Sequence, residues 1–340
     1  MPVKTVRDMA DTMTLPPEPA TPKREAIPVG RTDAGEAVLS NGVHGEALIS
    51  ICIPTWRDSA DALLASLLRL KGAAQCTLLI YDDGSNQDEL TRLLAKQILR
   101  YPGPARLITA PKNKGRSHAR NRLTALAETS WTLFLDADMR PDDDEFLLRY
   151  LDAAEGCERP ALIPGGFSLT HAIPTAETRL HAAQSLASEC LNAGARAVAP
   201  GRYVFTSNIL VHRDILEGVQ FDAGFTGWGW EDVDWGLRIA RDYPVHHIDN
   251  PATHLGLDDD QALLGKYGSS GANFARALER HPEALKATPL YKATRTLSRL
   301  PGKSLIKVAS KTLASTRYLP MSVRLFGLKL YRAATYAEHI

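Results

Sequence analysis

Short apolar runs recur along the middle of the chain, each stopped by Pro, Gly or acidic residues and each followed by a stretch of helical period. Leu48-Ile49-Ser50-Ile51-Cys52-Ile53 predicts a strand halted by Pro54-Thr55. Ala60, Leu63, Leu64, Leu67 and Leu68 then return at helical spacing, with Asp58 or Ser59 available as N-cap. Thr77 to Tyr81 predicts a second strand, ended by Asp82-Asp83-Gly84-Ser85 and followed by a helix carrying Leu90, Leu93, Leu94 and Ile98. Ala105 to Thr109 and Trp131 to Leu135 supply two more strands, with a helix from Ser117 to Glu128 between them. This alternation predicts an α/β fold built on a mostly parallel sheet flanked by helices.

The rhythm continues with a helix from Asp143 to Ala154, a strand from Ala161 to Phe167, mixed helix and loop from His171 to Arg202, and a strand from Val204 to His212. A helix from Asp232 to Arg241 and a short strand from Val245 to Ile248 precede Thr253-His254. Residues 1–45 carry Pro16, Pro17, Pro19, Pro22 and Pro28 without a sustained period, which predicts a disordered or loosely docked leader. The α/β domain is expected over 46–257. A helical, basic extension is expected over 258–340, where the alternation fades.

Composition adds exclusions. At 340 residues the chain can bury a large core, and a formal charge of +1 speaks against a generally basic nucleic-acid binder. Cys52, Cys76, Cys157 and Cys190 stand far apart with no C-x-x-C pair, so buried free thiols are expected rather than a zinc site or a disulfide framework. The N-terminus has no charged-then-apolar signal, and no uninterrupted apolar run reaches about 18 residues, the usual threshold for a spanning helix. A cytoplasmic chain is expected.

Candidate chemistry gathers where the apolar runs stop. Leu133-Phe134-Leu135 ends at Asp136-Ala137-Asp138, and in open α/β sheets ligands collect at the carboxyl ends of strands. Hard carboxylates in such a pair suit Mg²⁺ or Mn²⁺. An isolated Asp-x-Asp is more often a solvated turn. Here, however, Asp82-Asp83, Asp136 with Asp138, and Glu231-Asp232 fall at successive run ends, which one site explains more economically than three unrelated turns. The last pair follows Gly224, Gly227, Trp228, Gly229 and Trp230, where glycines permit close approach and tryptophans offer flat faces to sugar rings. P-loop, H-E-x-x-H, G-x-S-x-G and G-x-G-x-x-G patterns are missing at the places where they would act.

In this order the motifs resemble the family 2 inverting glycosyltransferases. The residues that carry the resemblance are Pro54-Thr55, Asp82-Asp83-Gly84-Ser85, Asn113-Lys114-Gly115 with Arg116 and Arg120-Asn121, Asp136-Ala137-Asp138, and Trp228-Gly229-Trp230-Glu231-Asp232, spanning Ile49 to Leu255. The last motif also looks like the acceptor-side motif of β-galactosyltransferases and chondroitin-polymerase-type domains. The resemblance implies the GT-A fold, a nucleotide-diphosphate sugar donor, here a UDP-sugar, and Mn²⁺ or Mg²⁺ as cofactor. It implies that Asp83 accepts from the uracil imide with Pro54, Thr55 and Asp82 nearby, and that Lys114 and Arg116 lie near base and phosphates. Asp136 would contact the ribose or a metal-bound water and Asp138 the metal. His254 stands where many relatives supply a third ligand, with His246 and His247 as rivals and a packed or surface histidine as the plain alternative. Asp232 would be the base for the acceptor hydroxyl and Glu231 would orient the acceptor, which Trp228 and Trp230 would help to bind.

From Leu285 to Ile340, Lys286, Lys292, Arg295, Arg299, Lys303, Lys307, Lys311, Arg317, Arg324, Lys329 and Arg332 face a single acid, Glu338, among Leu305, Ile306, Leu313, Leu325, Phe326, Leu328 and Leu330. That composition suits interfacial helices drawn to anionic lipid, or equally a packed extension with a basic outer face. The expected function is a metal-dependent inverting hexosyltransferase that extends a polysaccharide or lipid-linked glycan, in the cytoplasm or peripheral at the inner face of the plasma membrane. Two rival readings fit the motifs less well. A sugar-nucleotide nucleotidyltransferase would want a Gly-rich basic loop after the first strand, which Pro54-Thr55-Trp56-Arg57 is not, and a non-catalytic scaffold would not need carboxylates at all three strand ends.

Overall fold

The computed structural model describes residues 25–340. Its strands are β1 (Ile27–Arg31), β2 (Ala37–Ser40), β3 (Ile49–Thr55), β4 (Cys76–Asp82), β5 (Ala105–Thr109), β6 (Trp131–Leu135), β7 (Met139–Pro141), β8 (Leu162–Pro164), β9 (Phe167–Ser168), β10 (Asn208–His212) and β11 (Ala252–His254). Its helices are α1 (Asp61–Leu67), α2 (Asp88–Arg100), α3 (Arg116–Leu126), α4 (Phe146–Glu155), α5 (Arg179–Ser188), α6 (Ala193–Ala197), α7 (Arg213–Gly218), α8 (Glu231–Ile239), α9 (Asp260–Ser269), α10 (Gly271–Arg280), α11 (Pro282–Lys286), α12 (Pro289–Ser298), α13 (Lys303–Ser315) and α14 (Met321–Tyr336). One sheet has the order β1-β2-β5-β4-β3-β6-β10-β8, and β7-β11-β9 form a small second sheet. Strands β5, β4, β3 and β6 are mutually parallel, as the alternation predicts, while β10 runs against β6 and β8.

Alternate residues of the central strands face two cores. Ile51, Ile53, Leu78, Ile80, Leu133 and Leu135 meet Leu63, Leu64 and Leu67 of α1, Leu94 and Ile98 of α2, and Phe146 and Leu147 of α4. Cys52, Leu79, Tyr81 and Phe134 face the opposite core with Leu123 of α3 and Trp235 and Ile239 of α8. Each such Leu, Ile or Phe stabilises the fold by roughly 1.5–3 kcal/mol through burial. Burial on both faces is why these strands read as unbroken apolar runs.

The same arrangement delivers the acidic run ends to one rim. Thr55 pairs with Asp82 in the parallel β3–β4 ladder, and Asp136 follows directly on β6. Because β10 is antiparallel, it is its beginning that reaches this rim: Asn208 lies opposite Leu135, and the Asp136 amide donates to the Ser207 carbonyl at 3.2 Å. In the second sheet β11 runs against β7 with His254 opposite Met139, which carries a residue from far along the chain to the side of Asp138.

Three expectations change. The strand expected from Ala161 to Phe167 divides into β8 and β9, and Val245–Ile248 makes only a bridge from Val245 to Leu162. The chain leaves the large sheet at Gly166, where φ is +95°, and enters the small one; the Pro164 and Gly165 carbonyls there accept from the Ile248 and Asn250 amides, at 3.1 Å each, and also from the guanidinium of Arg196, 1% exposed. The strand expected from Val204 begins only at Asn208, because the preceding residues turn to meet α8. The leader expected over 1–45 lies outside the described residues up to residue 24; beyond it, β1 and β2 form a hairpin on the sheet edge, with β2 antiparallel to β5. No burial pattern announces this hairpin, since every residue of β1 is exposed.

The segment after 258 packs on the domain. Leu263, Leu264 and Tyr267 of α9 share a core with Leu180 of α5, Ala314 of α13, and Leu328 and Tyr331 of α14. Buried Arg324 donates to Asp260 Oδ1 at 2.6 Å and to the Ala314 carbonyl at 2.9 Å. Leu305, Val308 and Phe326 stay exposed on the outer side. No helix among the described residues is long and apolar enough to cross a membrane.

The hairpin is fastened by Glu36, only 2% exposed, which accepts from Arg122 Nε (2.9 Å) and Nη2 (2.8 Å), Thr32 Oγ1 (2.6 Å) and Tyr81 Oη (2.9 Å). Burial alone would raise the Glu36 pKa, but Arg122 and the two hydroxyls outweigh it and hold the group at about 2, against an ordinary 4.5. Glu36→Gln should therefore destabilise the protein by about 1–3 kcal/mol at neutral pH. A folded-state pKa below the unfolded one contributes stability that is complete above about pH 4.5 and lost as pH falls toward about 2. Urea unfolding should show a gap between wild type and Glu36→Gln that is constant down to roughly pH 5 and narrows below it. A gap that does not change with pH would contradict this account.

Candidate active site

At the end of β4 the chain turns through Asp83, Gly84 and Ser85. Asp82 is 1% exposed; the Ser85 amide and hydroxyl both donate to its Oδ1, and Oδ2 has no hydrogen-bond partner among the described residues. Burial raises its pKa against those hydrogen bonds. Asp82, expected at the nucleotide site, thus lies behind the cleft wall and not in it, because adjacent strand-end residues face opposite ways. Asp83 is the one that lines the cleft. Its carboxylate accepts the backbone amides of Lys114, at 3.1 Å from each oxygen, and of Gly115 at 2.8 Å. Glycine is required at 84: φ is +72°, and a Cβ would stand 2.3 Å from the Lys112 carbonyl carbon.

Helix α3 begins beside this loop and places Arg116 and Arg120, one turn apart, on one face. Arg120, 1% exposed, donates through Nη2 to Asp136 Oδ1 at 2.6 Å. Arg116 spans the cleft, 3.5 Å from Asp136 Oδ2 and 3.7 Å from Glu231 Oε1. Burial opposes its charge, but the surrounding carboxylates, Asp136 first, push its pKa further up. Asp136, expected among the metal ligands, is therefore turned to two guanidinium groups.

Asp138 faces a different partner. His254 Nε2 lies 3.2 Å from Asp138 Oδ2. Burial would raise Asp138 and lower His254, yet each overrides that on the other, so Asp138 is lowered and His254 raised. The rival histidines are elsewhere: His247 is fixed by Arg196 and the Pro200 carbonyl, and His246 is exposed outside the cleft. Among the described residues no three His, Cys, Asp or Glu side chains converge as a ready metal site. The chain thus offers a cation one hard oxygen and one imidazole nitrogen, on side chains 37% and 23% exposed, with the remaining positions open to a ligand.

The opposite wall is the segment before α8. Gly227, Gly229 and Trp230 all have left-handed backbone, with φ of 78°, 88° and 77°. For tryptophan this costs about 1–2 kcal/mol. The strain is held by α10 and α14: Asn273 Nδ2 donates to the carbonyls of Thr226 (2.9 Å) and Gly229 (3.0 Å), and Trp230 Nε1 donates to Tyr336 Oη (3.0 Å). Trp228 stands edge-on to Tyr267, with ring centres 5.3 Å apart.

Trp230 caps α8, so Glu231 and Asp232 fall in the first helical turn, where the helix end favours negative charge. Glu231 is buried; burial and then the Asp232 charge raise its pKa, while Arg116 opposes them. Asp232 accepts from Thr206 Oγ1 at 2.9 Å and from the Thr206 amide at 3.1 Å, which fixes its orientation. Asp234 is wholly buried among Arg238, Arg280 and His281 and takes no part in the cleft.

One cleft of about 1030 Å³ contains Pro54, Thr55, Asp83, Lys114, Arg116, Asp136, Asp138, Trp228, Trp230, Glu231, Asp232 and His254, so twelve of the thirteen expected site residues meet there. Reasoning from sequence missed Thr206, which has no motif around it, and Tyr267 and Arg332, which belong to helices far along the chain.

Residues 50–161 match the family model described as Glycosyl transferase family 2. The matched segment runs from β3 through α4 and carries the first two acidic run ends, and the protein is a glycosyltransferase. No curated protein matches the sequence. Among solved structures, a mannosyltransferase from Pyrobaculum calidifontis in complex with GDP-Man and Mn²⁺ is similar with a TM-score of 0.53 and 15% identity, over 86% of this chain and 88% of its own. S. aureus TarS in complex with UDP-GlcNAc has a TM-score of 0.44 at 14% identity, over 86% of this chain and 91% of its own. The architecture is that of the GT-A fold.

Proposed function

We propose that this cleft transfers a sugar from a nucleoside-diphosphate donor, a UDP-sugar, to a hydroxyl of a saccharide or lipid-linked glycan, with inversion at the anomeric carbon and dependence on Mn²⁺ or Mg²⁺. The observation that supports this most is the meeting, in one cleft, of the Asp138–His254 pair with the Glu231–Asp232 pair beneath two tryptophans. Asp138 and His254 would hold the cation, which when bound supplies positive charge to the departing diphosphate. The donor set fits such a need: eight Asp and Glu side chains line the cleft against five Lys and Arg, so an entering diphosphate requires further positive charge. The mannosyltransferase of the same fold holds GDP-Man and Mn²⁺.

On the donor side Asp83 keeps lone pairs beyond those used by Lys114 and Gly115, and can accept the imide N–H that uracil has and cytosine lacks. On the acceptor side Asp232, oriented by Thr206, takes the hydroxyl proton as that oxygen bonds to the anomeric carbon and the carbon–phosphate-oxygen bond breaks on the opposite face. Glu231, next to Arg116, orients the acceptor.

Asp232→Asn keeps the shape, and its one oxygen can still accept the Thr206 amide while its NH2 donates to Thr206 Oγ1, but it cannot take the proton, so transfer should slow by about 10²–10⁴ with donor affinity intact. Glu231→Gln should act mainly through acceptor KM. Transfer by Asp232→Asn within about threefold of wild type would place the base elsewhere.

The same proposal includes an anionic membrane as the setting for a lipid-linked acceptor. The observation in its favour is α13, where Leu305 and Val308 are 76% and 64% exposed on a helix that also carries Lys303, Lys307 and Lys311. Basic residues near such a surface contribute roughly 1 kcal/mol each. Leu305→Glu with Val308→Glu should weaken sedimentation with anionic liposomes while leaving donor hydrolysis unchanged, and about 0.5 M salt should weaken sedimentation of the wild type. Equal sedimentation of both forms would mean that this face does not meet lipid.

A further inference from the structure

Of the five Lys and Arg side chains in the cleft wall, three already have carboxylate partners: Arg116 and Arg120 at Asp136, and Lys266 at Asp258, 2.6 Å away. Lys114 is exposed at the mouth. Arg332 differs from all of these. It reaches the cleft from α14, is half-buried, and has no carboxylate within ion-pair distance among the described residues. Its Nε donates to Tyr336 Oη at 3.1 Å, and its guanidinium carbon lies 4.9 Å from the Tyr267 ring centre and 5.5 Å from those of Trp230 and Tyr336.

Aromatic rings hold the faces of this guanidinium and one hydrogen bond holds Nε, so its plane is fixed. Its terminal amino groups have no hydrogen-bond partner among the described residues. A fixed, partly desolvated fork of N–H donors matches the two oxygens of a carboxylate or phosphate and binds them more strongly than a solvated lysine would. Its position favours the acceptor over the donor. Trp230 beneath it leads directly into Glu231 and Asp232, and Tyr267 beside it carries Trp228.

We propose that Arg332 is a specificity-determining residue that binds an anionic group, carboxylate or phosphate, on the acceptor. The inference rests on the glycosyl-transfer reading of the cleft and narrows its acceptors to acidic saccharides or phosphate-bearing glycans. The test uses wild type, Arg332→Gln and Arg332→Lys, each with UDP and Mn²⁺, titrated by ligand-observed NMR with two matched pairs. The pairs are methyl β-glucuronide against methyl β-glucoside, and glycerol phosphate against glycerol. Wild type should bind the anionic member of at least one pair about 10- to 100-fold tighter than its neutral partner, and the pair that shows it tells carboxylate from phosphate. Arg332→Gln should lose the preference, Arg332→Lys should keep part of it, and calorimetric UDP affinity should be the same in all three.

A wild type with no preference, or a preference that survives in Arg332→Gln, would overturn the proposal. So would a fall in UDP affinity in Arg332→Gln, which would put the anion on the donor. Failure of the wild type to bind UDP would instead overturn the donor reading, and the pairs would then be judged without nucleotide. Should Arg332→Gln lose its near-ultraviolet circular dichroism, the Arg332→Lys form and the wild-type preference decide.

Discussion

Carboxylates can crowd this cleft only because guanidinium groups from one helix face stand among them. At an effective dielectric of about 20, two like charges 4 Å apart repel by about 4 kcal/mol, and several such pairs would outweigh the stability of a typical domain. Arg120 lies buried against Asp136, and Arg116 spans from Asp136 on one wall to Glu231 on the other. The first turns of α3 therefore join the two halves of the site. Arg122 of the same helix fastens the edge hairpin through Glu36, so a single element sets the sheet edge and the balance of charge in the cleft.

The second constraint is the left-handed segment that carries the tryptophans. Trp230 would not keep a positive φ unaided, and its fastenings, Asn273 and Tyr336, come from helices that follow the α/β alternation. The match to the family model stops at 161, and Phe167, His181, Glu189, the residues just before β10, the segment leading into α8 with its first turn, β11 and the helices after 258 supply the rest of the cleft. Residues 258–340 thus take part in the site. They brace the wall on which Glu231 and Asp232 depend, and they bring in Tyr267 and Arg332.

Much of this was legible in the sequence, and the physical reason is burial. β3, β4, β5 and β6 are covered on both faces, so their apolar runs mark the strands to within a residue or two, and the acidic residues that end them must fall at the rim. The hairpin at 27–40 gave no such signal, because β1 is exposed throughout and its anchor is one buried glutamate. The break between β8 and β9 falls at Gly166, whose positive φ turns the chain from one sheet to the other, and Arg196 packs against it from a part of the chain that no local pattern connects to it. Facing direction was equally hidden: Asp82 and Asp83 are chemically alike, and only the twist of the chain leaving β4 decides which one lines the cleft. His254 meets Asp138 through the register of two three-residue strands, which periodicity cannot foresee. Arg332 appeared as one basic residue among many in the C-terminal stretch, and its role depends on the fold bringing α14 back over Trp230.

The central claim is that the cleft binds a nucleoside diphosphate with help from a cation at Asp138 and His254. Calorimetry of the full chain with UDP and GDP, in Mn²⁺ and again after EDTA, tests it most directly. The account predicts that UDP binds in Mn²⁺, more tightly than GDP, and at least about tenfold more weakly once the metal is removed. Binding of neither nucleotide, or UDP binding that is equal with and without metal, would contradict it.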